Sequence, residues 1–211
     1  MPVATFQCRD YYERIARRSG YVSIAGADEV GRGCLFGPVY AAAVILSPDR
    51  PIRGLRDSKE LPAERRAELA AEIKEKAVAW SVAWLEAHDI DRLNIYHASL
   101  TAIRSAVDGL RPAADFVLVD GFPLPGVEAQ RALVKGDAKC RSIAAASIVA
   151  KVARDHRLTE WHEVYPQYGF ARHKGYGTPE HLEALGRYGV TPEHRRSFGP
   201  VRKAMGAAAC R

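Results

Sequence analysis

The run Phe116-Val117-Leu118-Val119 limits the possible folds of this chain more than any other segment. It is short, entirely apolar and followed at once by Asp120-Gly121. A strand that is apolar at every position requires a sheet covered on both of its faces. The run therefore predicts an α/β fold, and it places a carboxylate at the end of a buried strand.

The rest of the chain supplies the strands and helices that such a fold needs. Strands are predicted at 22–28, 39–46, 78–85, 116–119 and 129–134, and helices at 5–19, 62–76, 88–109 and 140–164. Pro62 is expected at the first helical position of the second helix. The first two strands are joined by a loop short enough for antiparallel pairing. This order predicts a mixed five-stranded sheet flanked by helices on both faces.

The last part of the sequence has a different composition. From Tyr165 onward glycine and proline recur, and Thr178-Pro179 has the form of a helix start, with threonine as the cap. We therefore predict one α/β domain over residues 1–164 and a C-terminal helix-and-loop appendage over residues 165–211 that has no core of its own. A length of 211 residues agrees with a single core.

Composition excludes several classes of protein. No run approaches the roughly 18 apolar residues that a membrane span needs, and residues 1–10 lack the basic-then-apolar layout of a secretory signal. A cytoplasmic protein without a membrane partner is therefore expected. Scattered cysteines argue against a zinc site or a disulfide framework and predict reduced thiols. They are Cys8, Cys34, Cys140 and Cys210.

The charge balance favours a polyanionic partner. The chain carries 31 Lys and Arg against 25 Asp and Glu, a net charge of +6, and much of the basic excess follows Lys135. Such a distribution is typical of a phosphate-binding surface. A solvated helical face is the alternative explanation, and composition alone does not separate the two.

Two adjacent carboxylates stand at the end of the first strand, and a glycine-rich turn follows them. Asp28 and Glu29 come first, and Gly31-Arg32-Gly33 comes shortly after them. Neighbouring side chains of a strand point to opposite faces, so the two carboxylates can converge on one ion only where the strand ends or twists. The glycines let a ligand approach the main chain closely, and the arginine offers a forked donor. A polar strand end that runs into an ordinary turn is the alternative.

These carboxylates form a site if the first and fourth strands are neighbours. Asp28, Glu29 and Asp120 would then meet at the ends of adjacent strands, where α/β folds bind their ligands. Gly121 supports this arrangement because it leaves space beside Asp120.

Asp155, on the predicted helix 140–164, is a fourth candidate. It shares a helical face with Ser147 and Lys151, and a plain ion pair between Lys151 and Asp155 is the alternative. Clustered carboxylates repel one another unless a cation neutralises them. Oxygen ligands without His or Cys suit Mg²⁺ or Mn²⁺, and two such ions can assist phosphodiester hydrolysis. A metal-dependent nuclease site is therefore the functional hypothesis.

Six segments occur in an order and at a spacing that match one known family. They are Gly26-Ala27-Asp28-Glu29-Val30-Gly31-Arg32-Gly33 with Gly37-Pro38-Val39, Asp57-Ser58-Lys59, Val119-Asp120-Gly121, Lys135-Gly136-Asp137, Ala145-Ala146-Ser147-Ile148-Val149-Ala150-Lys151-Val152-Ala153-Arg154-Asp155 and His173-Lys174-Gly175-Tyr176-Gly177-Thr178. The tail His194-Arg195-Arg196-Ser197-Phe198 also fits. Together they resemble the ribonuclease HII family of type 2 ribonucleases H, which implies a ribonuclease-H-like fold.

The resemblance implies an endonuclease that cuts the RNA strand of RNA–DNA hybrids. It also implies incision of duplex DNA 5′ of a single ribonucleotide, leaving a 3′-hydroxyl and a 5′-phosphate, as in ribonucleotide excision repair and primer removal. The implied metal ligands, for two Mg²⁺ or Mn²⁺ ions, are Asp28, Glu29, Asp120 and Asp155. Gly31, Arg32 and Gly33 would contact the 2′-hydroxyl at the junction, and Tyr176 would pack on the deoxyribose beyond it. Further implied phosphate contacts are Lys59, Lys139, Ser147, Lys151, His173 and Lys174.

Three alternatives compete with this interpretation. Ribonuclease HIII shares the chemistry but has a large N-terminal domain, for which the residues before the first strand leave no room. A catalytically inactive ribonuclease-H-like module would bind nucleic acid better without the carboxylates, which this chain keeps. A structural nucleic-acid-binding protein would bind hybrid and plain duplex alike, with steep salt dependence.

One segment departs from the family pattern. Proline commonly follows Gly-Arg-Gly in the family and a small residue precedes the next glycine, whereas this chain has Cys34 and Phe36. The shape of this loop is therefore not predicted. The sequence also leaves open the preferred metal and the balance between long hybrids and single ribonucleotides, and a monomer is the default expectation.

Overall fold

The computed structural model describes residues 9–209. A five-stranded sheet has the strand order β3-β2-β1-β4-β5. The strands are β1 (Ile24–Val30), β2 (Val39–Ile45), β3 (Ala79–Leu85), β4 (Phe116–Asp120) and β5 (Gln130–Leu133). β2 is antiparallel to β1 and β3, while β4 is parallel to β1 and β5. The predicted mixed sheet is confirmed, and β1 and β4 are neighbours.

Helices cover both faces of this sheet. They are α1 (Tyr11–Arg18), α2 (Ala63–Lys76), α3 (Ala87–Leu93), α4 (Ile95–Asp108), α5 (Arg141–Val164), α6 (Phe170–His173), α7 (Pro179–Tyr188) and α8 (Gly199–Ala209). Alternate residues of β2 separate the two faces. Ala41 and Ala43 pack in the core that contains α4, whereas Ala42 and Val44 pack in the core formed with α2 and α5.

Helix α5 crosses β1 at very short range because small residues meet there. A Cβ atom at Gly26 would lie 2.0 Å from the carbonyl carbon of Ser142. The alanines at 144–146 are fully buried in the same helix. This close approach sets the position of α5 over the strand that carries Asp28.

The predicted helix 88–109 is wrong in one respect, because it is divided at Asn94. This residue has a φ of 65°, which ends α3, and its Oδ1 accepts hydrogen bonds from the N–H groups of Tyr96 and His97 at 3.0 and 3.1 Å. An asparagine cap thus starts a second helix. Pro62 is likewise the residue before α2 and not its first helical residue.

The C-terminal elements pack on an aromatic cluster around Phe36. Its ring stacks on Phe170 with centroids 3.7 Å apart, and Trp161 and Tyr165 meet it edge-on. Thr178 caps α7 by accepting from the His181 N–H, as predicted. The division into residues 1–164 and 165–211 stays a prediction, since the cluster joins side chains from both parts.

The remaining sequence predictions concern the cysteines, the N-terminal helix and the absence of a membrane span. Cys34 and Cys140 are buried free thiols, whereas Cys8, Cys210 and the first residues of the predicted helix 5–19 lie outside the described residues. Among residues 9–209, no helix has both the length and the apolar character that a membrane span requires.

Candidate active site

The carboxyl ends of β1 and β4 lie side by side at the middle of the sheet. Ala27 is paired with Val119 in the parallel register, so the next residues along each strand, Asp28 and Asp120, are close together. These two side chains and Glu29 line one cavity of about 230 Å³. The structure thus brings together the three carboxylates that the sequence analysis placed at these strand ends.

Burial and mutual repulsion disfavour the charged forms of these carboxylates. The pKa of Asp28 is raised well above its ordinary value, chiefly by burial and then by the charges of Glu29 and Asp120. Burial also raises the pKa of Glu29, against the effect of Arg32, whose Nη1 lies 3.2 Å from Glu29 Oε1. Burial likewise raises the pKa of Asp120, although the Gly136 N–H donates to its Oδ1 at 2.6 Å. A cation bound here would relieve this repulsion.

A further acidic side chain, Asp137, lines the same cavity. It is only 7% exposed, and Lys59 Nζ lies 3.5 Å from its Oδ2. Its negative charge acts on both Asp28 and Asp120. Asp137 belongs to a motif that is visible in the sequence, but its position in the site was not predicted, because a short 3₁₀ turn does not reveal from sequence which strand end it faces.

The donor set suits a hard divalent cation, although it is not preassembled. Every candidate ligand is a carboxylate oxygen, the donor that Mg²⁺ and Mn²⁺ prefer. Within residues 9–209, no three His, Cys, Asp or Glu side chains converge closely enough to hold an ion. Donors of the protein occupy the oxygens instead, as when the Glu29 N–H donates to Asp28 Oδ1 at 2.7 Å. The carboxylates therefore fit the chemistry of the ion but need side-chain rotation to meet at one.

Asp155 faces a second, larger cavity next to the first. This cavity has a volume of about 600 Å³ and shares Lys151 and Tyr176 with the first. Lys151 Nζ lies 2.7 Å from Asp155 Oδ1, and a guanidinium nitrogen of Arg66 lies 3.6 Å from Asp155 Oδ2. The alternative ion pair is thus present, but it is largely buried and stands at the edge of the carboxylate cavity. Sequence spacing gave no sign of Arg66, which comes from α2.

The structure separates the predicted phosphate contacts. Those that line the first cavity are Lys59, Ser147 and Lys151, and Lys174 lines the second. Lys139 lines neither of these two cavities, and its ammonium donates to the Val134 carbonyl at 2.7 Å. The structure therefore gives no support to Lys139 as a phosphate contact.

His173 lines the second cavity, but its ring is bonded to its own loop. Its Nδ1 accepts from the Gly175 N–H at 3.2 Å, so Nε2 carries the proton and donates to the Tyr168 carbonyl at 2.6 Å. Both ring nitrogens are thus used by the backbone. The structure supports a loop-ordering role for His173 in place of the predicted phosphate contact.

Gly31, Arg32 and Gly33 form the rim of the first cavity. Gly31 has a φ of 91°, and a Cβ there would lie 2.3 Å from Arg154 Nε, so a larger residue does not fit. At Gly33 no atom lies within 4 Å of the corresponding Cβ position. The backbone of Gly33 is therefore open to the close approach of a ligand.

Tyr176 stands directly across from this turn. A β-bridge joins Cys34 to Tyr176, and the Leu35 N–H donates to the Gly175 carbonyl at 2.8 Å. The Cys34 N–H also donates to the Gly31 carbonyl at 3.4 Å, a bond that the proline common in the family could not make. The side chain of Tyr176 is 43% exposed, so its ring is available to a ligand beside the turn.

Buried histidines support the backbone of Tyr176. The Thr191 N–H donates to His194 Nδ1 at 3.0 Å, His194 Nε2 donates to His181 Nε2 at 3.1 Å, and His181 Nδ1 donates to the Tyr176 carbonyl at 2.9 Å. This chain of bonds requires both rings to be neutral. Burial lowers the pKa of His181 to about 4 and that of His194 to about 3.

We expect these histidines to make folding stability fall as pH is lowered. The unfolded chain binds protons near the ordinary histidine pKa of 6.5, while the folded rings stay neutral. The free energy of unfolding is therefore highest above pH 6.5. It falls on acidification, by about 2 kcal/mol per histidine between pH 7 and pH 5, because only the unfolded chain takes up the protons. Urea unfolding at several pH values should show a smaller loss for His194→Gln. The exposed His88→Gln control should keep the full loss, and an equal loss in both variants would contradict the assignment.

The sheet order, the acidic strand ends and the adjoining basic cavity define a ribonuclease-H-like nuclease. The family model described as Ribonuclease HII matches residues 25–201, and the chain belongs to the ribonuclease HII family. It is accordingly a hydrolase that acts on the RNA of RNA–DNA hybrids.

Individual relatives agree with this assignment. The chain is 58% identical to a ribonuclease HII of Solibacter usitatus over 93% of this chain and 86% of that protein. It superposes on the ribonuclease H2 of Pyrococcus horikoshii with a TM-score of 0.74 at 24% identity, covering 90% of this chain and 100% of that one. The ribonuclease HII in the PCNA complex from Archaeoglobus fulgidus gives a TM-score of 0.72 at 27% identity, covering 86% and 96%.

Proposed function

We propose that this enzyme incises duplex DNA 5′ of a single embedded ribonucleotide, in addition to cutting long hybrids, and serves ribonucleotide excision repair and primer removal. The observation that carries the proposal is the position of the Gly31–Gly33 turn and of Tyr176. They face each other across the rim of the cavity that holds the carboxylates. A nucleic-acid strand lying in this cavity would pass between the turn and the Tyr176 ring.

The turn has the chemistry to recognise a 2′-hydroxyl. The open backbone of Gly33 permits a sugar to come within hydrogen-bond distance, and Arg32 adds a forked donor at the same rim. The half-exposed ring of Tyr176 offers an apolar face to the sugar of the next nucleotide, where a deoxyribose packs better than a ribose. A ribonucleotide followed by DNA makes both contacts, because its 2′-hydroxyl meets the turn and the next deoxyribose packs on the Tyr176 ring.

The carboxylates would hold the divalent ions of the reaction, with Mg²⁺ or Mn²⁺ as the candidates and two ions during catalysis. Asp28, Glu29 and Asp120 supply oxygens at the strand ends, and Asp155 joins them when it leaves its partners Lys151 and Arg66. Ions held by these carboxylates would supply activation of water and charge stabilisation at the leaving oxygen of a phosphodiester. Lys59 and Lys151 at the cavity wall would bind the flanking phosphates. Water would add to the phosphorus as the bond to the 3′-oxygen breaks and that oxygen takes a proton, which gives a 3′-hydroxyl and a 5′-phosphate.

The basic second cavity extends the surface available to nucleic acid. Arg66, Lys174 and Arg172 line it beside Asp155, and their charges match a phosphate backbone. We infer that the nucleic-acid strand continues along this second cavity after passing Tyr176. The proposal also includes action as a monomer in the cytoplasm.

A labelled DNA duplex with one ribonucleotide tests the proposal. The protein is incubated with it in Mg²⁺, Mn²⁺ or chelator, beside an all-DNA control and an Asp120→Asn variant. We expect a metal-dependent cut 5′ of the ribonucleotide that is lost in the variant. Cleavage restricted to long hybrids would refute the roles of Arg32 and Tyr176, and binding of hybrid without any cleavage would favour a catalytically inactive module.

A further inference from the structure

Two arginines are fully buried beside the Gly31–Gly33 turn, and neither is paired with a carboxylate of residues 9–209. Arg154 is 1% exposed and Arg195 is 0% exposed. Among the described residues, neither guanidinium forms a salt bridge. Their hydrogen bonds go to backbone carbonyl oxygens only. Burying a charge without a counter-charge is costly. Ion pairing therefore does not explain why these two guanidinium groups are buried here.

The carbonyls that Arg154 binds belong to two separate segments. Its Nε and Nη2 donate to Pro38 and Phe36, at 3.2 Å each, in the chain that follows the turn. Its Nη1 donates to the backbone carbonyl of Lys174 at 2.9 Å, and Lys174 lies two residues before Tyr176. One side chain on α5, adjacent to Asp155, thus spans both segments to which junction recognition is assigned.

Arg195 binds the turn itself. Its Nη1 donates to the carbonyl of Arg32 at 3.0 Å, and its Nε donates to the carbonyl of Gly37 at 2.9 Å. The backbone of Gly31 rests directly on the Arg154 guanidinium, as the 2.3 Å separation of a hypothetical Cβ shows. Arg195 therefore binds the backbone of the turn, Arg154 lies against it at Gly31, and its outer edge at Gly33 stays open.

We propose that Arg154 and Arg195 are positioning residues that fix the distance between the Gly31–Gly33 turn and Tyr176. They thereby set the preference for a ribonucleotide that is followed by DNA. The inference rests on the proposed function. A planar guanidinium carries donors on three separate nitrogens and can bridge carbonyls that lie apart, whereas all three donors of a lysine leave from one nitrogen. Lysine keeps the buried charge but lets the two segments separate.

The test measures kcat/KM on two substrates, a DNA duplex with one ribonucleotide and a duplex with one all-RNA strand. Arg154→Lys and Arg195→Lys are compared with Arg157→Lys, which changes an arginine on the surface of α5 that pairs with Glu160. We expect each buried variant to lower the ratio of single-ribonucleotide to hybrid cleavage at least about tenfold, with hybrid cleavage largely kept. The Arg157 variant should leave the ratio unchanged.

An equal loss on both substrates, or an unchanged ratio, would overturn the inference and assign the arginines to general stability. Thermal unfolding of each variant is recorded alongside. If Arg154→Lys does not fold, the ratio for Arg195→Lys decides the question. A wild-type protein that cuts hybrids but not the single ribonucleotide refutes the proposed function before any variant is compared, and this inference then falls with it.

Discussion

Asp28→Asn is expected to slow cleavage by orders of magnitude and, in a metal-free buffer, to stabilise the fold. Asn keeps the shape of the side chain but removes a charge placed next to Glu29 and Asp120. The cleavage rate should fall on the order of 10²–10³-fold or more, as when one essential electrostatic group is removed from a transition state. Because burial and its acidic neighbours raise the pKa of Asp28, its ionised form destabilises the metal-free protein. We expect a gain in unfolding free energy of about 1 kcal/mol at pH 7.

Hybrid cleavage and thermal unfolding in chelator measure the two effects on the same preparation. Asp49→Asn is a matched control, since Asp49 is an exposed carboxylate away from the cavity. It should change neither quantity. Loss of activity together with loss of stability in Asp28→Asn would show that the carboxylate supports the fold and would contradict the prediction.

Gly26→Ala is expected to cause the largest loss of stability of any single methyl group added to this chain. The new Cβ would lie 2.0 Å from Ser142 C and 2.3 Å from Ile143 N, both of them backbone atoms of α5. No rotamer change can relieve this contact, so the helix must shift away from β1. We expect a loss on the order of 3 kcal/mol or more, beyond the usual cost of an overpacked core site.

Denaturant unfolding of Gly26→Ala and of Gly186→Ala provides the comparison. Gly186 lies inside α7, and no atom approaches within 4 Å of a Cβ at that position. Alanine there should be neutral or stabilising by up to about 1 kcal/mol, because it favours helix. Equal effects at the two glycines would mean that α5 can move freely over β1, against the packing described above.

The sequence predicted the parts of the site that depend on where strands end. Asp28, Glu29 and Asp120 lie at the ends of two predicted strands, and the parallel pairing of these strands brings the carboxylates to one cavity. Local chemistry predicted the start of α7 in the same way. The break at Asn94 had a local signal too, an asparagine before an apolar residue, but the longer helical periodicity outweighed it.

Other features depend on contacts between distant segments and left no pattern in the sequence. Arg154 binds a carbonyl that is 118 residues away, and Arg195 binds one that is 163 residues away. A charged residue in a helix or tail indicates a solvated position unless the fold is known. Asp137 and Arg66 were missed for the same reason, because only the packing of short turns and helices brings them to the cavities.

The backbone pairing of residues 35–37 with two C-terminal segments has a consequence for protein engineering. Leu35 pairs with Gly175 and with Arg195, and Gly37 pairs with Glu193. A chimaera that exchanges only residues 31–37, the Gly31–Gly33 turn and the segment after it, between relatives would leave these partners mismatched. Substrate preference should therefore be transplanted as one block that joins the loop to residues 165–201, and libraries that vary both segments together should yield more active clones than libraries that vary either one.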